Sequence, residues 1–536
     1  MSDLLLGQVK PMSHQLADVV GLERHPRVNL WNGLGTGKMF TGAWLVQSWW
    51  LRGMVDCVIV VAPSMCAPDW FDAFTHVAWP AGLCDVYDAR PPDHGIIEDF
   101  LMSGVRQDPS KLHVFVASYG SVRSIIGRRT NSRYVIDQDS ALLSCVRGRR
   151  VGVIFDESQG AALQSSQQAI ACRGLADACK GVVSMTATPI GNPMTMRLWG
   201  MTQLVRPDVL HLAAQDFIGF KERYAQLVDP VQQQAERAGR KAAFVPARAY
   251  PVAIYQDRID AEVLAPMAPF SARRTKEECL DLPAKVRLRR SYRAPPEVQR
   301  LLDQLIEEDR AVLSDGRAIV VDNALEERLR TLELASGWLA ERIIHPLKLK
   351  LLEEAIDEVD DNLGIRAPVA IWASRTREIL ACALVCAKVP AEEAMRMGTA
   401  GAANEEEYKA CIRAAANGRV GVLHGRTATR ERDRIQADWK SGMLRTVVAH
   451  PGVAGAGLNW QHVEATIYFS QPLGTIARQQ SEDRVHRHGL KHTALYYDLV
   501  MENGADLAVA QAHAQQANTA RAMLDWMDSR ARSLRA

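Results

Sequence analysis

The chain has 536 residues, too many for one hydrophobic core, so roughly two to four domains are expected. Its 47% hydrophobic and 24% charged residues describe an ordinary globular protein, while 64 Lys and Arg against 62 Asp and Glu, a formal net charge of +2, exclude a uniformly basic nucleic-acid coat. No uninterrupted apolar run reaches about 18 residues, which excludes a membrane-spanning helix, and the ten cysteines are scattered without zinc-type spacing.

The N-terminal run MSDLLLGQVKPMSHQ lacks a basic segment followed by a sustained apolar stretch, so the expected setting is a reducing cytoplasm, or a nucleus if the source is eukaryotic. The first chemistry-bearing element is NLWNGLGTGKMFTGAWLVQSWW, with Gly33, Gly35 and Gly37 ahead of Lys38 and an apolar helical pattern after them. Glycines let a backbone approach phosphate oxygens closely, and a helix N-terminus adds its dipole to anion binding. One position departs from the phosphate-loop pattern: Met39 stands where a hydroxyl for Mg²⁺ is expected. A glycine-rich turn with an exposed lysine is the bland alternative.

Four β-branched runs come next: VDCVIVVAP near residue 55, LHVFVAS near 112, VGVIFDES near 151 and GVVSMTATP near 181. They alternate with helix-like stretches such as DWFDAF and TMRLWGMTQLV, the pattern of a parallel sheet covered on both faces. Asp156 and Glu157 come directly after the third strand, where one acid can hold Mg²⁺ and the next can orient or deprotonate an attacking water. Thr186, Ala187, Thr188 and Pro189 close the fourth. Residues from about 215 to 360 read as helical insertions and a connection, as in EVQRLLDQLIEEDRAVL and LKLKLLEEAIDEVDD.

A second strand series begins after about residue 365: APVAIWAS, RVGVLHG, RTVVAH, EATIYFSQ and TALYYDLV. The fold class expected is therefore α/β, with two tandem domains built on parallel sheets and helical insertions between them. Arg484 and Arg487, three residues apart, are expected one helical turn from each other and on one face.

Taken in order, these runs resemble the Swi/Snf-type ATP-dependent DNA translocases of helicase superfamily two. The likeness is carried by VIVVAPSMCAPDW and VFVASYGSV in the first half, and by FSARRTKEECLDLPAKVRLRR in the middle. VLHGRTATRERDRIQADWKSG, VVAHPGVAGAGLNW and ARQQSEDRVHRHGL carry it in the second half. It spans about Gln15 to about Val500, and Glu-Asp-Arg within QSEDRVHRHG leans toward the annealing-helicase branch.

The resemblance implies two RecA-like lobes. Lobe 1 would occupy 1–260 with an insertion after about 215, a helical protrusion and linker 261–345, lobe 2 346–510 and a tail 511–536. It implies ATP and Mg²⁺ as cofactors and double-stranded DNA as partner. Targeting is expected from protein partners, from DNA structure or from short elements without a recognisable pattern; no membrane and a monomer are expected, and so small a motor fits a prokaryotic or viral setting best. Gln15 would bind adenine, and Gly33, Gly35, Thr36, Gly37, Lys38 and Met39 would surround the phosphates. Lys38 would hold the β and γ phosphates, Asp156 Mg²⁺, and Glu157 the water. Gln159, Gly455 and Gln480 would couple nucleotide to lobe closure, with Arg484 and Arg487 as arginine fingers. Ser118, Tyr119, Arg273, Arg274 and Lys276 would meet DNA.

Further basic clusters offered to a phosphate backbone are SVRSIIGRRTNSR, VRGRR and KVRLRRSYR. Leu490 replaces a glutamine and Gln159 a histidine of the family pattern, neither removing a charge the chemistry needs. A strand-separating helicase is disfavoured by the Arg-Arg-Thr-Lys and Leu-Pro-x-Lys stretch. The rival reading is a nucleotide-insensitive DNA-binding or scaffold protein on a degenerate motor fold, and Met39 is its sole support.

Overall fold

The structure is a computed structural model that describes residues 10–77, 83–90, 110–130, 133–161, 166–187, 195–210, 216–229, 231–232, 241–246, 249–308, 310–321, 324–454 and 460–515. The chain divides into two compact units, Met1–Leu280 and Asp281–Ala536. The 261–345 segment expected as protrusion and linker is thus shared out, and its strands enter the sheets of both units.

In the N-terminal unit seven strands form one sheet: β1 (Arg27–Leu30), β2 (Cys57–Ala62), β3 (Cys84–Asp88), β4 (Leu112–Ser118), β5 (Val151–Phe155), β6 (Gly181–Met185) and β7 (Ser271–Ala272). Their order is β7-β1-β6-β5-β2-β4-β3, and every pairing is parallel. β2, β4, β5 and β6 are buried along their whole length, which is why their sequences are continuous apolar runs rather than alternating ones. Ile59, Val61, Phe115, Phe155 and Val182 from these strands share one core with Leu175, Leu198 and Leu204 of the helices over them.

Among the helices of this unit that adjoin the glycine-rich loop or the acidic pair are α1 (Ser13–Leu22), α2 (Lys38–Leu51) and α3 (Tyr119–Ile126). α2 starts where Gly37, with φ 77°, turns the chain out of the loop, a conformation that costs glycine nothing. α3 starts at the end of β4, where Ser118 Oγ accepts from the Ser121 amide.

The C-terminal unit carries β8 (Lys285–Tyr292), β9 (Val369–Trp372), β10 (Val420–Leu423), β11 (Thr446–Ala449), β12 (Ala465–Tyr468) and β13 (Ala494–Met501). They pair in parallel in the order β8-β13-β12-β9-β11-β10. Two parallel α/β sheets in tandem agree with the expected fold class and are consistent with two RecA-like lobes.

The middle section is less helical than its pattern suggests. Besides the helices Pro296–Glu307, Ala324–Ala335 and Leu347–Leu363 it holds antiparallel pairs, 310–312 with 318–320 and 338–339 with 342–343, and 225–228 pairs with 250–254 in the N-terminal unit. Leu301 and Leu305 of the first helix and Leu352 of the third lie in one core with Ile371, Leu380 and Leu499, so these helices are integral to the C-terminal unit.

Candidate functional site

β1 ends at Leu30 and β5 at Phe155, separated in the sheet only by β6, so the residues after them emerge at one carboxyl edge. That edge of an open parallel sheet is where ligands bind. The loop after β1 has Gly35 at φ 80° and Gly37 at φ 77°, and both backbones take a left-handed turn that side chains resist. Lys38 Nζ lies across the loop and donates to the carbonyls of Asn32 and Gly33, each at 2.9 Å. Thr36 is buried with its hydroxyl donating to Gly33 O, and Thr41 Oγ donates to Gly37 O. Neither hydroxyl replaces the one Met39 lacks.

α1 supports this loop from behind. Gln15 Nε2 donates to Thr36 O and Gly37 O at 3.3 and 3.1 Å, and His14 Nε2 lies 3.0 Å from Thr36 O. The other end of the Gln15 amide accepts from Met12 N. One turn further on, buried Asp18 accepts from Asn32 Nδ2 at 2.7 Å. The Gln15 expected at adenine is in this structure a buttress of the glycine-rich loop, and His14 and Asp18 are partners that the sequence did not single out. Their spacing on one helix face was the available signal.

Asp156 is fixed on both oxygens: Trp70 Nε1 donates to Oδ2 and the Glu157 amide to Oδ1, each at 2.9 Å. Burial and the neighbouring Glu157 push its carboxyl up to about 6, against the pull of Trp70, Lys38 and the Glu157 amide. Glu157 sits at φ 50°, a strained value for a residue with a Cβ. Gln159 Nε2 donates to Glu157 Oε2 at 2.6 Å, while Gln159 Oε1 is buried without a hydrogen-bond partner among the described residues. The donor set suits a hard cation in one respect: Asp156 supplies hard oxygen, and Mg²⁺ typically takes one or two carboxylates beside phosphate oxygens and waters. The Met39 thioether does not fit it.

Tyr119 departs most clearly from expectation. It is buried, and its hydroxyl donates to Asp156 O at 2.7 Å and to Glu157 O at 3.3 Å, so it clamps the strained acidic turn from below. Burial raises its pKa well above the ordinary phenol value, which keeps it a donor. Ser118 is also buried as the cap of α3. Of the other residues assigned to DNA, Lys276 is buried and Arg274 pairs with Asp18 at 2.8 Å, whereas Arg273 is exposed. Ser118, Tyr119 and Lys276 are thus buried, and Arg274 is part-exposed but paired. In the KVRLRRSYR cluster, Lys285 and Arg287 reach Glu482 at 3.2 and 2.8 Å, and Arg290 reaches Glu358. Arg123 and Arg128 are exposed.

In the C-terminal unit, helix Thr475–Glu482 carries Gln480 and stops at Asp483. Arg484 and Arg487 lie in the turns after it, so they do not share the helix face expected for them. The Arg484 carbonyl accepts from Trp460 N and the Arg487 carbonyl from Leu490 N, closing the turns. Gly455 falls outside the described residues, as do Thr188 and Pro189. Beneath the turns lies a buried network that the sequence did not reveal. Arg478 Nε donates to Glu482 and its Nη1 to Asp498 and Gln471, with its guanidinium over the Tyr468 ring. Burial favours the neutral acid, yet Arg478, Lys285 and Arg287 hold the Glu482 carboxyl down at about 2. A cavity of about 300 Å3 opens at the carboxyl ends of β9, β11 and β12, lined by Lys348, Ser374, Arg375, His450, Ser470 and Asp506 among others.

Residues 400–489 match the helicase conserved C-terminal domain family. No curated protein sequence matches the chain. Among solved structures, the chain is similar to the Sulfolobus solfataricus SWI2/SNF2 ATPase core in complex with dsDNA, at 16% identity over 95% of this chain and 92% of that one, TM-score 0.36. The same core domain alone gives 15% identity over 94% and 88%, TM-score 0.35. The Mycobacterium smegmatis helicase Lhr bound to ssDNA and AMP-PNP gives 13% over 94% and 48%, TM-score 0.48. No helix among the described residues is long and apolar enough to cross a membrane.

Proposed function

We propose that this chain, with a helicase C-terminal domain match at residues 400–489, is an ATP-dependent translocase on double-stranded DNA of the Swi/Snf type. The observation that carries the reading is the convergence of a lysine-bearing glycine loop and a fixed Asp-Glu pair at one sheet edge, buttressed by Gln15 and clamped by Tyr119.

In this reading the phosphates lie on the backbone amides of the loop from Gly33 to Lys38, and Lys38 Nζ leaves the Asn32 and Gly33 carbonyls for the nucleotide. Asp156 is the one protein carboxylate for Mg²⁺, which when bound neutralises phosphate charge. Glu157, held by Gln159, orients the attacking water and takes its proton. Arg484 and Arg487, both inside the matched domain, serve as the cationic groups that stabilise charge on the transferring phosphoryl group. Arg123, Arg128 and Arg273 are the exposed cations offered to the DNA backbone.

Steady-state ATP hydrolysis without nucleic acid, with single-stranded DNA, with duplex DNA and with RNA tests the reading, using Lys38→Ala as the blank. Stimulation by duplex DNA that vanishes in the variant is expected. Hydrolysis no higher than the blank at high Mg²⁺, with DNA binding indifferent to ATP, would favour the rival scaffold reading that Met39 supports.

A further inference from the structure

The Arg-Arg-Thr-Lys run lies along the first residues of the phosphate loop. β7 continues beside β1 with Asn29 opposite Ser271 and Leu30 opposite Ala272. Past the strand, Trp31 N donates to Ala272 O and Gly33 N to Arg274 O, both at 2.8 Å. A Cβ at Gly33 would come to 3.0 Å from the Lys276 amide, so a side chain there would push the two backbones apart by a few tenths of an ångström. Arg274 Nε then donates to Asp18 Oδ1 at 2.8 Å, while the other Asp18 oxygen holds Asn32 Nδ2. The Asp18 side chain is 2% exposed and that of Arg274 39%, so an acid inside the unit draws this arginine onto the loop.

A few residues later the same run enters the C-terminal unit and is fastened again. His486 Nε2 lies 2.7 Å from Pro283 O, Lys285 Nζ donates to Glu482 and Asp483 at 3.2 and 3.4 Å, and Arg287 donates to Glu482 at 2.8 Å. These acceptors and His486 flank or belong to the turns that carry Arg484 and Arg487. One continuous stretch, residues 272–287, is thus tied in one unit to the loop that would take phosphate and in the other to the arginine-bearing turns.

We propose that residues 272–287 are a coupling strap, and that Asp18 and Arg274 are positioning residues that tie its first end to the phosphate loop instead of contacting DNA. This rests on the nucleotide reading above. Lys38 Nζ holds the carbonyls of Asn32 and Gly33, the same two residues that Asp18 and the Arg274 carbonyl hold from the other side. Phosphate that draws Lys38 away changes the load on that anchor, and the chain carries the change to the Glu482–Arg487 segment.

The test uses the full chain with Arg274→Ala, Arg274→Lys and Asp18→Asn, each checked for an unchanged far-UV spectrum. Three quantities are measured: equilibrium binding of a fluorescent ATP analogue without DNA, binding of a plain duplex without nucleotide, and amide hydrogen exchange of residues 482–487 with and without the analogue. Arg274→Ala and Asp18→Asn are expected to weaken nucleotide binding about tenfold, keep duplex binding within about twofold, and abolish a nucleotide-dependent exchange change present in the wild type. Arg274→Lys, which keeps a cation for Asp18, restores part of the nucleotide affinity. Wild-type nucleotide affinity in Arg274→Ala, or a loss of duplex affinity in its place, overturns the proposal and returns Arg274 to DNA. If Arg274→Ala fails to fold, Arg274→Lys and Asp18→Asn decide by the same criteria. Absence of nucleotide binding by the wild type is a different result, for it overturns the nucleotide reading itself.

Discussion

Asp156 is half-buried, with a tryptophan N–H on one oxygen and a backbone amide on the other, and desolvation with the neighbouring Glu157 raises its carboxyl from 3.8 to about 6. A carboxyl raised on folding binds its proton more tightly in the native state, so stability falls as pH rises through the window from about 4 to about 6. Above that window the buried charge favours the arrival of a cation. Mg²⁺ with nucleotide should therefore raise the melting temperature by several degrees at pH 8 and by little at pH 5, read by thermal unfolding. An equal effect at both values would remove Asp156 as the metal ligand. Met39 gives a second test. If the soft thioether is the missing ligand, Met39→Thr should lower the Mg²⁺ concentration for half-maximal ATP hydrolysis several-fold, and no change would sink that account.

The placement of Lys38, Asp156 and Glu157 at one sheet edge was legible because it depends on local spacing at the ends of apolar strands. Tyr119 was not. A Ser-Tyr pair at a strand end carries no sign of its partners, and only the folded chain shows the hydroxyl donating to the Asp156 and Glu157 carbonyls. The pairing of Arg274 with Asp18 was hidden for a similar reason, since the two are distant in sequence.

The central strands could be read from sequence because burial on both faces makes them continuous apolar runs, and the structure keeps them nearly where the runs fall. Edge elements lack that signal. β8, Lys285–Tyr292, alternates cations with apolar residues and reads as a basic cluster, yet it pairs along its whole length with β13. The hairpin 310–312 with 318–320 was absorbed into a helical pattern, although Asp315 and Gly316, the latter at φ 80°, spell a tight turn. Helix Thr475–Glu482 ends on Glu482, whose depressed carboxyl contributes stability fully above about pH 4.5 and loses it as pH falls toward about 2. Glu482→Gln keeps an acceptor but removes one of the two carboxylate charges that face buried Arg478, and should destabilise the C-terminal unit by about 3–5 kcal/mol. The chemical-denaturation midpoint of that unit should drop at pH 7 and differ little from wild type at pH 2.5. An unchanged midpoint at neutral pH would show that Asp498 and Gln471 suffice for Arg478.

At the scale of the whole chain, a net charge of +2 gives no bulk attraction to nucleic acid, so the proposed DNA contact calls for local clusters of exposed cations. Two parallel α/β units, one with the phosphate loop and acidic pair and one with the arginine-bearing turns, divide the proposed chemistry between them. The most direct measurement is displacement of a third strand from a DNA triplex placed along a plain duplex, with ATP, with a non-hydrolysable analogue, and with Lys38→Ala. The account predicts displacement that requires hydrolysable ATP and Lys38 and leaves the underlying duplex paired. A triplex left intact by an enzyme that binds duplex equally well with and without ATP would contradict it.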